Sequence, residues 1–135
     1  MKLVFADTLY WVAVTRPDDQ WSHAAHAAKA ALGDALILTT DEVLVEFLAA
    51  MSSTPQRRIQ ALQMVQAIIA SRSVKILPQS RDSFIKGLQL YARRLDKQYS
   101  LTDCISMNAM RSEGATEVLT NDCHFSQEGF TVLIR

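Results

Sequence analysis

The chain has 135 residues, 49% hydrophobic and 21% charged, a profile that fits one ordinary globular domain able to bury a proper core. Lysine plus arginine and aspartate plus glutamate both number 14, so zero formal net charge excludes a chain-wide pull toward nucleic acid and leaves only local basic surface. No run reaches the ~20 apolar residues of a membrane helix, and two cysteines are too few for a disulfide framework.

Met1-Lys2-Leu3-Val4-Phe5-Ala6 starts like a signal peptide, but Asp7 interrupts it before an apolar core forms. Reduced thiols and a cytoplasmic setting are therefore expected. Leu3–Phe5 is a short apolar run of the kind a strand buried on both faces requires. Helical spacing follows over Leu9–Thr15 and Gln20–Leu32, with Pro17-Asp18-Asp19 marking a turn between them. Past Gly33-Asp34 a second strand is expected at Ala35–Leu38, then helices at Asp41–Met51 and Gln56–Ser71. Ser52-Ser53-Thr54-Pro55 separates those helices, and Pro55 suits a helix start. Val74–Leu77 reads as the third strand, Arg81–Asp96 and Thr102–Glu113 as helices, and Gly114 sits just past the second. Thr116–Leu119 and Thr131–Ile134 complete five strands, with a short turn near Asp122 and Gly129 between them. Strands alternating with helices predict an α/β domain whose parallel sheet is covered on both faces.

In such a sheet every strand ends at the same edge, where ligands bind. Asp7 ends the first strand run, and Asp122 follows the fourth at once in Glu117-Val118-Leu119-Thr120-Asn121-Asp122. Asp103 lies in the first turn of the helix entering that fourth strand. Glu46 lies in the second turn of the helix after the second strand. Four acids distant in sequence thus converge. Each has a structural alternative: Asp122 as an N-cap, Asp103 as the capping partner of Ser100, Asp7 as a turn former. Glu46 is hardest to explain that way, because its neighbours Val43, Leu44, Val45, Phe47 and Leu48 are apolar. Thr39-Thr40-Asp41-Glu42 fits a capping box that occupies Glu42, and leaves Glu46 without such a task. No Lys or Arg adjoins any of the four in sequence. Clustered carboxylates without a Cys/His ligand set suit a hard divalent ion, Mg²⁺ or Mn²⁺, and such ions bind phosphate oxygens. That chemistry is phosphoryl transfer or phosphodiester hydrolysis.

Arg93, Arg94 and Lys97 end the helix before Ser100, where they either grip phosphates or complement the helix dipole. Arg57 and Arg58 open another helix and are expected in solvent. His23 and His26 have metal-pair spacing but no third ligand, so exposed histidines are expected. Cys104 and Cys123 each follow a candidate ligand Asp. Zinc binding with His124 is conceivable, but small core thiols are the reading adopted. The helix Ile59–Ile69 is apolar around much of its circumference, from core burial, a dimer contact or a partner surface.

With these residues in view, the sequence resembles the PIN-domain family, and within it the VapC-type toxin ribonucleases of bacterial toxin–antitoxin pairs. The resemblance rests on Phe5-Ala6-Asp7-Thr8, on Thr40 through Glu46-Phe47-Leu48, on Tyr99-Ser100-Leu101-Thr102-Asp103-Cys104-Ile105-Ser106, and on Leu119-Thr120-Asn121-Asp122-Cys123-His124-Phe125 followed by Gly129-Phe130. It implies a single PIN-like three-layer domain over residues 1–135 with sheet order 3-2-1-4-5. It implies an Mg²⁺- or Mn²⁺-dependent endoribonuclease, a hydrolase that leaves 5′-phosphate and 3′-hydroxyl ends. Asp7, Glu46, Asp103 and Asp122 would form the active site, with Asp7, Asp103 and Asp122 at the metal and Glu46 orienting or deprotonating water. Thr8, Thr102 and Asn121 would stand behind them. A homodimer, an RNA substrate and a small antitoxin protein are the implied partners.

Other classes compete with this reading. A non-catalytic PIN-like module would bind RNA or protein without cutting. A phosphoacceptor receiver domain needs a Lys after its last strand, where Leu133-Ile134-Arg135 stands; a DxDxT phosphatase needs a second Asp that Asp7-Thr8-Leu9 lacks.

Overall fold

The computed structural model describes residues 1–135. Five strands form one sheet: β1 (Lys2–Ala6), β2 (Ala35–Thr40), β3 (Val74–Leu77), β4 (Glu117–Leu119) and β5 (Thr131–Val132). Their order is β3-β2-β1-β4-β5, and every neighbouring pair is parallel. Parallel neighbours require crossovers. Seven helices lie along the connections: α1 (Thr8–Thr15), α2 (Ser22–Leu32), α3 (Asp41–Ala50), α4 (Pro55–Ala70), α5 (Arg81–Arg93), α6 (Leu101–Glu113) and α7 (Cys123–Gln127).

The strand order follows from burial. β1 has the most completely apolar run, with Val4, Phe5 and Ala6 fully buried, and it takes the centre. There Phe5 sits in register with Leu38 on one side and Val118 on the other. In one helix layer α1 packs on α2, α3 and α4, with α2 against β4 and α4 against β3. In the other, α6 lies over β2 and carries α5. Gly87 sets how closely that pair packs: a Cβ there would lie 2.5 Å from Ile105 Cγ1. No helix is long and apolar enough to cross a membrane.

Several boundaries differ from expectation, and two of the differences matter for the site. β2 runs on through Thr39 and Thr40, which pair with Ile76 and Leu77 of β3. Thr39 Oγ1 donates to the Ala6 carbonyl at 3.0 Å and accepts from Trp11 Nε1 at 3.3 Å, tying β1, β2 and α1 together. Because the strand lasts until Thr40, the capping box expected from Thr39 to Glu42 does not form. Thr40 is the cap, accepting from the Val43 amide at 3.1 Å, and apolar Val43 returns no bond. Glu42 accepts instead from Ser83 Oγ at 3.0 Å, and Asp41 accepts from the Gln79 amide at 2.9 Å.

The remaining shifts are smaller. α5 stops at Arg93 rather than Asp96; the next residue, Arg94, leaves the helix and its guanidinium engages Glu128. β5 covers only Thr131–Val132, although the Leu133 and Ile134 amides still donate to the Val118 and Thr120 carbonyls. Pro55 opens α4, and Gly114 closes α6 in the left-handed region at φ 78°, as their positions in sequence predict.

Candidate active site

All five strands end at one edge, and all four candidate acids are delivered there. Asp7 follows β1 directly and starts α1. Glu46 occupies the second turn of α3, Asp103 the first turn of α6, and Asp122 is the N-cap of α7 just after β4. Their charges act on one another: Asp103 and Glu46 on Asp7, and Asp122 on Asp103.

Each carboxylate is tied to the scaffold through one oxygen. Asp7 Oδ2 accepts from Thr120 Oγ1 at 3.0 Å, and Glu46 Oε1 accepts from Thr8 Oγ1. Asp103 Oδ2 accepts from the Ser100 amide at 3.0 Å, while the Asp103 amide donates to Ser100 Oγ, completing a capping box. Asp122 Oδ1 accepts from the His124 amide at 2.9 Å. The local structural readings of Asp103 and Asp122 therefore hold for one oxygen of each. The second oxygen of each acid carries none of these bonds.

The electrostatics are those of crowded, buried negative charge. Burial pushes the Asp7 carboxyl from 3.8 up to about 7; the Asp103 and Glu46 charges add to the rise, against the Thr8 amide and Thr120 hydroxyl. Asp103 is also raised, by burial first and by the Asp122 charge, with the Ser100 amide and His124 opposing. No Lys or Arg forms an ion pair with any of the four.

Sequence reasoning missed three contributors. Thr120, fully buried, donates to Asp7 and accepts from the Asp122 amide at 3.1 Å, so it bridges two of the acids. His124 places Nδ1 3.2 Å from Asp103 Oδ2 and 3.3 Å from Asp122 Oδ1. Glu128, with 5% of its side chain exposed, gathers Arg94, Arg111 and the Tyr99 hydroxyl, and this company holds its carboxyl down at about 2. The TNDCHF run signalled the neighbourhood; nothing local in sequence marked Glu128.

Of the residues expected behind the acids, Thr8 bonds Glu46. Thr102 opens α6 beside Asp103 without bonding an acid. Asn121 turns away and donates to the Ile134 carbonyl at 2.7 Å. Among the three basic residues, Arg94 is a two-pronged partner of Glu128 at 2.8 and 2.9 Å, Lys97 stands beside Asp96, and Arg93 faces solvent. His23 and His26 are exposed, as expected. Cys104 is a core thiol pushed up to about 11 by burial, whereas Cys123, expected in the core, is exposed at the start of α7. Ile59, Leu62 and Ile69 on α4 are more than half exposed, so core burial does not account for them.

A divalent ion fits this donor set. The four carboxylates have no Lys or Arg partner and a single imidazole beside two of them, a donor set of the oxygen-rich kind that hard divalent ions take. The donor atoms of Asp122, Cys123 and His124 also lie within 4.8 Å of one another, but a single thiolate and imidazole do not make a soft-metal set.

The strand order and the helices on both faces define a three-layer α/β protein with acids gathered at the C-terminal edge of its sheet. The PIN-domain model matches residues 4–130, and the chain belongs to the PIN-domain family, whose nucleases in general depend on a divalent metal. Among solved structures, the chain is similar to Mycobacterium tuberculosis VapC20, described as a sarcin-ricin loop cleaving toxin. The TM-score is 0.85 at 23% identity, over 95% of this chain and 96% of that one. It is also similar to VapBC2 from Rickettsia felis, bound to a DNA fragment from their promoter, with a TM-score of 0.65 at 15% identity over 96% of both chains. No curated protein matches the sequence.

Proposed function

We propose that residues 1–135 act as one PIN-like unit, an Mg²⁺- or Mn²⁺-dependent endoribonuclease of the VapC toxin type working in the cytoplasm. The observation that carries this reading is the set of four carboxylates, each bonded to the scaffold through one oxygen, with no Lys or Arg to neutralise them. The RNA-cleaving activity stated for VapC20, whose fold this chain shares, supports RNA as the substrate class.

Asp7, Asp103 and Asp122 would hold the ion. When bound, it supplies positive charge that polarises a phosphodiester and acidifies water. The remaining work belongs to the side chains. Glu46, oriented by the Thr8 hydroxyl, accepts the proton of the attacking water. In-line attack at phosphorus then breaks the P–O3′ bond, leaving a 5′-phosphate and a 3′-oxygen that takes a proton from solvent to become the 3′-hydroxyl. Thr120 fixes Asp7 against rotation, and the Ser100 cap does the same for Asp103. Arg93 at the end of α5 and Lys97 just past it, both exposed, are the candidates for backbone phosphate contacts.

A small antitoxin and a second copy of the chain are the proposed protein partners. Exposed apolar side chains support this: Ile59 and Leu62 on α4 beside Leu48 of α3, and Phe84, Leu88 and Tyr91 along α5.

The test is cleavage of RNA by purified protein with Mg²⁺ or Mn²⁺ and with a chelator, alongside Asp103→Asn. Wild type should cut only with the ion, and the variant should bind RNA without cutting. Wild-type rates from a folded Asp103→Asn protein would refute the assignment, and RNA binding without cleavage by the wild type would make it a non-catalytic module.

A further inference from the structure

We propose that His124 is a positioning residue that aligns Asp103 and Asp122 for the ion, and that Tyr99 and Glu128 fix His124 in that role. The inference rests on the reading of those two acids as ion ligands and adds the device that orients them.

Ionised carboxylate oxygens only accept hydrogen bonds, so a ring nitrogen facing two of them carries its proton and donates. Nδ1 of His124 lies 3.2 Å from Asp103 Oδ2 and 3.3 Å from Asp122 Oδ1. The N–H group therefore donates to Asp103 on α6 and stands beside the charge of Asp122, the cap of α7, without a hydrogen bond to it. Both contacted oxygens already carry a scaffold bond, from the Ser100 amide and the His124 amide. The opposite oxygens, Asp103 Oδ1 and Asp122 Oδ2, are left for a ligand. The Asp122 charge acts on Asp103, and the imidazole is the group that stands against both.

The ring is itself held. Tyr99, 5% exposed, packs on it with ring centroids 5.5 Å apart and planes tilted by 56°. The Tyr99 hydroxyl donates to Glu128 Oε1 at 3.0 Å. Glu128 is anchored in turn by Arg94 at 2.8 and 2.9 Å and by Arg111 at 2.6 Å, and the Arg111 guanidinium lies over the Phe130 ring. Both Glu128 oxygens are engaged from two directions, which leaves the carboxylate little freedom. A continuous series of contacts thus runs from two surface arginines through Glu128, Tyr99 and His124 to the acid pair. Outer groups that orient metal ligands in this way typically change metal affinity by about 10- to 100-fold when removed.

The experiment measures Mn²⁺ binding to the whole chain without RNA, following the free-ion electron paramagnetic resonance signal, with circular dichroism to verify folding. His124→Ala should weaken Mn²⁺ binding by about 10- to 100-fold. His124→Gln, which keeps a side-chain N–H donor, should recover a large part of the loss. Tyr99→Phe, which keeps the ring but loses the bond to Glu128, should fall between wild type and His124→Ala. Wild-type affinity in folded His124→Ala, or no recovery in His124→Gln, would overturn the inference while leaving the metal site standing. Absence of Mn²⁺ binding by the wild type would instead overturn the metal reading, and this inference with it.

Discussion

Replacing Asp7 with Asn should make the ion-free protein more stable at neutral and alkaline pH while removing its activity. Asp7 is 6% exposed, and burial with the charges of Asp103 and Glu46 moves its carboxyl from 3.8 to about 7. Between those values the folded chain binds more protons than the unfolded chain. The Asp7 contribution is therefore most favourable at acid pH and declines as pH rises from about 3.8 through about 7. At ~1.4 kcal/mol per pH unit, that gap bounds the destabilisation above pH 7 at ~4 kcal/mol. Asn keeps an oxygen to accept from Thr120, now 3.0 Å from Oδ2, but carries no charge, so most of the penalty should disappear. Urea unfolding in the presence of a chelator measures it. The advantage of Asp7→Asn over wild type should grow by ~2–3 kcal/mol between pH 5 and pH 8. Added Mn²⁺ should then stabilise wild type more than the variant. A difference independent of pH, or a variant less stable at pH 8, would refute the reasoning.

Glu128→Gln should cost ~2 kcal/mol at pH 7, a figure reduced because Arg94 and Arg111 both reach solvent. The Glu128 carboxyl is depressed from 4.5 to about 2, so its contribution is present above pH 4.5 and fades as pH falls toward 2. Denaturation curves for the two proteins should converge over that window. Ser106→Ala should be neutral or stabilising by up to ~1 kcal/mol, because Ser106 Oγ is buried with no hydrogen-bond partner; a shift in urea midpoint decides it. Gly87→Ala should destabilise by ~1–2 kcal/mol despite alanine's better helix propensity, since the added methyl meets Ile105 on α6. Thermal melts read that loss directly.

The elements that sequence reveals best are those whose burial leaves no polar alternative. Val4 and Phe5, Ile37 and Leu38, and Val118 and Leu119 announce strands covered on both faces, and the parallel sheet follows. The acids at strand and helix termini were legible for the same reason: once strand ends share an edge, Asp7, Asp103 and Asp122 must meet. Glu46 stood out because an apolar helix gives a glutamate no local task. What sequence could not supply was contact between distant side chains. Nothing near Glu128 says that Arg94 and Arg111 will close on it, or that His124 will lie between two acids rather than in solvent. Thr120 rather than Asn121 serves the acids because the residue just past β4 is buried toward Asp7 while the next turns to the Ile134 carbonyl. The misplaced capping box has a similar origin, since two β-branched threonines extended β2 beyond its apolar run.

The attachment of each carboxylate to the framework through one oxygen bears on how inactive forms of this protein should be made. An amide substitution retains an acceptor where the framework needs it and deletes only the charge. If the proposed RNA cleavage holds, such a variant is a suitable decoy, intact in shape and relieved of mutual repulsion, that should grip a transcript it does not sever. Cross-linking and sequencing of the strands it retains in vivo would read out its targets.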